Sequence, residues 1–259
     1  GFGGFETSPA GRADGAYSTI SVEGPHTALS IANAEALTLE GFRTRGGSRG
    51  LSKSGAGALT VTNCVFEKVS SSSGEALGVV VKGTGVVRFA NVRFSEFYQT
   101  DTASQRNGAA LFLNGPSRVY LDDCLFVSNG VPFSTGSGSN QAYAMRGSAL
   151  YSSGTPLTAR NCRFVGNRGQ TLDVGGEGGG VVRLDGACGG SAFSNCFFVA
   201  NENIHGYSNY SDYPTDKGAG VLTLILGAAG RTVDVVNCTF AYNLIEGREA
   251  TAGLNVRSG

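Results

Sequence analysis

Residues 59–66 read LTVTNCVF, and the closing four letters return as DCLF (123–126), NCRF (161–164), NCFF (195–198) and NCTF (237–240). Side chains of a β-strand alternate between its faces, so Leu59 and Val61 share one face. Strict alternation would put Asn63 beside them, yet the next apolar pair is Cys64 and Phe66. The chain must therefore bend at Asn63. Asparagine suits such a bend, because it tolerates left-handed backbone and its short amide can bond nearby main chain. Cysteine here is a small apolar residue that fits a narrow interior. The motif reads as a corner between two strands, with Cys and Phe turned inward.

The same unit runs along the chain. Alternating segments precede each corner: LTV (59–61), VRF (87–89), VYL (119–121), LTA (157–159) and VDV (233–235). Upstream of each lies a second strand-like element beginning or ending near glycine. These are GEALGVVVKG (74–83), GAALFLNG (108–115), GSALYSSG (147–154), GVVRLDG (180–186), GAGVLTLILG (218–227) and GLNVRSG (253–259). The phenylalanines at 66, 94, 126, 164, 198 and 240 recur every 28 to 42 residues. Units that vary in length but keep their strands are stacking coils with variable loops. The expected architecture is all-β, a single solenoid of about seven coils over residues 1–259. Residues 1–14 are a flexible or docking segment. Asn63, Cys64 and Phe66, with Asn161, Cys162, Phe164, Asn195, Cys196, Phe198, Asn237, Cys238 and Phe240, form its structural ladder, the asparagine amides bonding from coil to coil. TALSIANAEAL (27–37) carries helix-forming residues and reads either as another irregular coil or as a short helix capping the N-terminal end.

On these residues the chain resembles a right-handed parallel β-helix of the pectin-lyase-like type. More specifically, it resembles the repeats of polymorphic outer membrane proteins, which carry GGA[ILV] and FxxN in autotransporter-type passengers. FxxN stands here as FVSN (126–129), FVGN (164–167), FVAN (198–201) and FAYN (240–243). The other element stands as GAAL (108–111), GSAL (147–150) and GGVV (179–182). LTLEGFRTR (37–45) and NVRF (91–94) depart from the pattern. The resemblance implies an extracellular or cell-surface scaffold and no particular activity.

Composition agrees with that class. The 259 residues include 41 glycines, more than twice the roughly 7% usual in proteins. Formal net charge is zero, which argues against nucleic acid or an acidic membrane surface as partner. No run of 18 apolar residues offers a membrane-spanning helix. Six cysteines form an even set, but in-register neighbours point the same way, so the expectation is buried free thiols and not bridges. No CxxC pair suggests zinc.

Candidate chemistry is sparse. Asp122 and Asp123 are adjacent carboxylates, but strand neighbours face opposite ways and Asp123 fills a corner slot. His26 and His205 lie about five coils apart, too far to share a metal. The glycine-flanked strands would present Lys82, Asn114, Ser153 and Asp185 outward, with Val80, Phe112, Tyr151 and Arg183 beside them, as a mixed solvated face. A polysaccharide lyase or glycoside hydrolase would draw on that face, through Arg183, Asp185, Lys82 and Tyr151. The longest loop, 201–218, gathers Tyr207, Tyr210 and Tyr213 with Asp212 and Asp216, a composition suited to recognition. No cofactor is expected; Glu202, Asp212 and Asp216 are the one set suggestive of Ca2+. GLNVRSG reads as the first strand of another coil, so the sequence predicts an open apolar end that further coils or a second copy would cover. The expected function is adhesion or recognition of a host or cell-surface protein or glycan, or self-assembly, without catalysis.

Overall fold

The structure, a computed structural model, describes residues 17–71, 78–99, 106–108, 110–130, 145–171, 180–205, 220–227, 231–245 and 251–258. Three parallel sheets run the length of the molecule. Sheet 1 stacks Thr27–Ile31, Arg49–Lys53, Val79–Val81, Leu111–Leu113, Leu150–Ser153, Gly180–Gly186, Gly220–Leu226 and Thr251–Ser258. Sheet 2 stacks Leu37–Glu40, Leu59–Thr62, Val87–Ala90, Val119–Asp122, Leu157–Arg160, Ser191–Ser194 and Val233–Val236. Sheet 3 stacks Ser18–Val22, Phe42–Gly46, Val65–Glu67, Arg93–Ser95, Leu125–Val127, Arg163–Val165, Phe197–Val199 and Thr239–Ala241. The chain visits the sheets in the order 1, 2, 3, so each pass is one coil of a parallel β-helix.

The corner between sheets 2 and 3 is where the asparagines stand. Asn63, Asn91, Asp123, Asn161, Asn195 and Asn237 all take φ between 51° and 54°, and in the first coil Gly41 takes φ 67° instead. This left-handed residue turns Cys64 and Phe66 inward after Leu59 and Val61, which are also buried. Side chains at this corner do meet: Asn91 donates to Asn63 Oδ1 (2.8 Å), Asn161 to Asp123 Oδ1 (3.1 Å) and Asn195 to Asn161 Oδ1 (3.4 Å). Most of these groups are exposed to water, so their bonds contribute little net stability.

The buried ladder sits elsewhere, on the last residue of FxxN. A second left-handed residue follows each sheet 3 strand from Val65–Glu67 to Thr239–Ala241, at Lys68, Glu96, Ser128, Gly166, Ala200 and Tyr242. The next residue then points inward. Asn129 Nδ2 donates to Phe94 O (3.1 Å) and to Asn167 Oδ1 (2.9 Å), while its Oδ1 accepts Phe97 N–H (3.3 Å). Asn167 repeats this with Phe126 O (3.0 Å) and Asn201 Oδ1 (3.0 Å), and its Oδ1 accepts Asn129 N–H (3.2 Å). Asn201 does so with Phe164 O (2.8 Å) and Asn243 Oδ1 (3.1 Å). Asn129, Asn167 and Asn201 are buried, and each amide hydrogen has an acceptor. The expected ladder at Asn63, Asn161, Asn195 and Asn237 is therefore the weaker of two. Burial distinguishes them.

Beside the ladder the rings of Phe66, Phe94, Phe126, Phe164, Phe198 and Phe240 form one pile. Successive centroids from Phe94 onward are 4.5 to 4.8 Å apart with near-parallel planes. Burying one such ring contributes about 1.5–3 kcal/mol, and each stacked pair roughly 0.5–1.5 more.

The N-terminal helix suggested for 27–37 does not form. Thr27–Ile31 is a strand paired in register with Arg49–Lys53, and Leu37–Glu40 pairs with Leu59–Thr62. Strand pairing to the next coil satisfies both segments' backbone and overrides their weak helical propensity.

The two asparagine lines should separate under mutation. Asn167→Ala strands Phe126 O and the Asn129 groups in a dry interior, at a cost of about 1–3 kcal/mol for each group left unpaired. Asn195→Gly, which keeps the left-handed corner and loses only an exposed amide, should shift the urea midpoint far less. Equal shifts would mean that the buried ladder carries no special weight.

Candidate functional site

The cysteines of the corner motif lie on one inward line. Cys124, Cys162, Cys196 and Cys238 occupy consecutive coils, with Val92 holding the same slot between Cys124 and Cys64. All six cysteines are free; Cys238 alone is half-buried. Each corner thiol has two carbonyl acceptors within reach of its single S–H, one two residues before it, such as Arg160 O for Cys162 Sγ (3.3 Å), and one a coil away, such as Leu121 O (3.4 Å). Thiol contact with Cys124, together with burial, pushes Cys162 up. Contact with Cys162 and then burial do the same to Cys196. Burial alone leads for Cys188 and Cys238. Cys188 stands apart at another corner, donating to Asp185 O (3.2 Å). Protonated thiols are poor nucleophiles and poor ligands.

Sheet 1 differs from expectation. Lys82 and Asn114 are exposed, and Ser153 and Asp185 are half-buried. The neighbouring column is not solvated, however. Val80, Phe112 and Tyr151 are buried as a cluster separate from the core, and Arg183 is fully buried. Phe112 and Tyr151 stack at 5.7 Å, and Tyr151 lies opposite Arg183 in register. Arg183 grips Asp185 with two bonds, Nε to Oδ1 (2.8 Å) and an Nη to Oδ2 (3.0 Å). Tyr151 OH adds a third, to Oδ2 (2.9 Å). Burial, then the Asp185 charge, raises the Tyr151 phenol. The predicted face is thus solvated at Lys82 and Asn114, whereas the column beside it is a buried apolar strip ending in the Arg183–Asp185 ion pair. Alternation shows which residues share a face and carries no signal of what covers it.

The remaining sequence candidates fall apart in space or outside the described residues. Asp122 faces Arg88 (3.5 Å), whereas Asp123 is the left-handed corner residue accepting Asn161. His26 is exposed before the first sheet 1 strand, and His205 ends the strand Glu202–His205 several coils away. Glu202 pairs with Arg168 (3.1 Å). Tyr207, Tyr210, Asp212, Tyr213 and Asp216 lie outside the described residues. Among the described residues no three His, Cys, Asp or Glu side chains gather as a metal site, and no helix is long and apolar enough to cross a membrane. The buried FxxN asparagines were missed as the stronger ladder, although the motif itself marked them.

Parallel strands repeating through three sheets, with inward rings and amides stacked coil on coil, define a right-handed parallel β-helix. The family described as a right handed beta helix region matches residues 24–258, and the chain belongs to it. No curated protein and no solved structure matches the chain.

The thiol column generates a direct expectation. Native protein should offer a disulfide reagent at most one readily modified thiol, Cys238, and six after unfolding in urea. Rapid native modification of five or more would contradict the inward column.

Proposed function

We propose that this chain is a non-catalytic extracellular or cell-surface β-helix of the polymorphic outer membrane protein kind, acting by recognition. The observation that carries this reading is the Asp185 carboxylate. Arg183 and Tyr151 occupy it with three hydrogen bonds on a buried strip. A carboxylate so held is a poor general base and a poor calcium ligand, and it is the acidic residue on which the lyase or hydrolase alternative depends. The scaffold's asparagines, cysteines and phenylalanines are likewise taken up in stacking. Variation falls to the loops, and the 201–218 loop, with Tyr207, Tyr210, Asp212, Tyr213 and Asp216, is the proposed contact to a cell-surface protein or glycan.

Deleting residues 206–214 should leave the circular dichroism spectrum unchanged and abolish binding to the member of a purified cell-surface protein panel that the full chain retains. Unimpaired binding would refute the loop's role. Release of reducing ends or unsaturated uronates from acidic polysaccharides would establish the enzyme alternative instead.

A further inference from the structure

The outer face of sheet 3 carries an alternation that the scaffold does not need. Its first outward column reads Arg43, Val65, Arg93, Leu125, Arg163, Phe197 and Thr239, one residue per coil in unbroken register, with Val65 buried and Leu125 half-buried. Arginine and apolar residues alternate from Arg43 to Phe197. Rungs lie roughly 4.8 Å apart, so successive guanidiniums stand on a line about 10 Å apart. Arg93 and Arg163 are exposed. Among the described residues Arg93 touches the Ser95 hydroxyl alone (3.3 Å), and Arg163 has no side-chain bond or ion pair. Phe197, one rung beyond Arg163, is 44% exposed, unusual for phenylalanine.

The parallel column is mild: Ser95 is buried, and Val127, Val165 and Val199 after it are half-buried. Glu67 is the sole carboxylate on the strands of this face from Val65 to Ala241, and it lies 3.9 Å from Arg43, which weakens that end. At the borders Glu96 is engaged by Lys68 (3.8 Å), and Asp123 accepts the Asn161 amide. The stretch from Arg93 to Phe197 thus presents two exposed guanidiniums and no carboxylate on its strands, on a chain without net charge.

We propose that this strip binds a linear polysaccharide bearing one acidic group on every second sugar, laid along the helix axis. Arg93 and Arg163 pair with the acidic groups. Leu125 and Phe197, on the rungs between and beyond, carry the apolar faces of the intervening neutral sugars. The two-rung period of the protein thereby matches the two-sugar period of the polymer. Duplex nucleic acid presents a charge about every 1.7 Å and calls for far denser basic residues. An anionic membrane calls for a lysine and arginine cluster that the strip lacks. The inference rests on the recognition reading and adds to it a surface and a ligand class.

The test is calorimetric titration of the full chain at low salt with hyaluronan oligosaccharides, in which a carboxylate recurs on every second sugar. Binding is expected, weakening as salt rises. The Arg93→Gln/Arg163→Gln double variant and Phe197→Ser should each lose at least tenfold in affinity with unchanged circular dichroism. Chondroitin sulfate distinguishes sulfate from carboxylate as the preferred group by which polymer binds tighter, and either order supports the strip. Oligogalacturonate, acidic on every sugar, should bind more weakly. Equal or tighter binding of oligogalacturonate or of a duplex oligonucleotide overturns the proposal, as does unchanged binding by the variants or no saccharide binding at all. Deletion of 206–214 should leave saccharide binding intact. Loss of saccharide binding by the full chain alongside loop-dependent protein capture would sink this inference and leave the recognition reading standing.

Discussion

The inward residues of this molecule line up in columns, with neighbours roughly 4.8 Å apart, because the coils stack in register. That constraint selects the side chains. An asparagine can donate and accept along the axis at once, so a column of them satisfies itself, as Asn129, Asn167 and Asn201 do. A phenylalanine can lie flat on the ring below, as Phe164 does on Phe126 at 4.8 Å. A charged side chain would meet its own charge in the next rung. The low charge of the chain, 15% of residues, follows from the same geometry.

The first coils show what happens where the rule lapses. Thr44 occupies the phenylalanine slot, and its buried hydroxyl has no hydrogen-bond partner among the described residues. Lys53 stands inward below Val81, with its stem in the core and its ammonium turned to Gly55 O (2.5 Å). A Cβ on Gly83 would fall 2.7 Å from that nitrogen, so glycine keeps the space open. Burial pulls the Lys53 ammonium below the usual lysine value. Val69 and Phe97 precede the asparagines in the ladder column, and Phe97 contributes the N–H that begins it. The regular stack therefore starts at the fourth coil.

Much of this was legible in the sequence because register repeats make columns visible as spaced letters. The break in alternation at Asn63 announced the corner, and Cys64 and Phe66 announced the inward pair. The choice between the two asparagine lines was not legible, since both recur once per coil and burial alone separates them. TALSI (27–31) looked helical because propensity is local, whereas its pairing with Arg49–Lys53 is not. The closed face of sheet 1 escaped for a related reason. Tyr151, Arg183 and Asp185 read as an open chemical face, but a strand's period says nothing about a hydrogen-bonded ion pair two residues long.

The central claim is that the FxxN asparagines form the dry, fully bonded spine of the coil stack. Hydrogen exchange of side-chain amides by nuclear magnetic resonance tests it most directly. The Nδ2 protons of Asn129, Asn167 and Asn201 should be protected nearly as long as the neighbouring backbone amides, while those of Asn91 and Asn195 exchange as fast as exposed amides. Fast exchange at Asn167 and Asn201, or equal protection of both lines, would contradict the account.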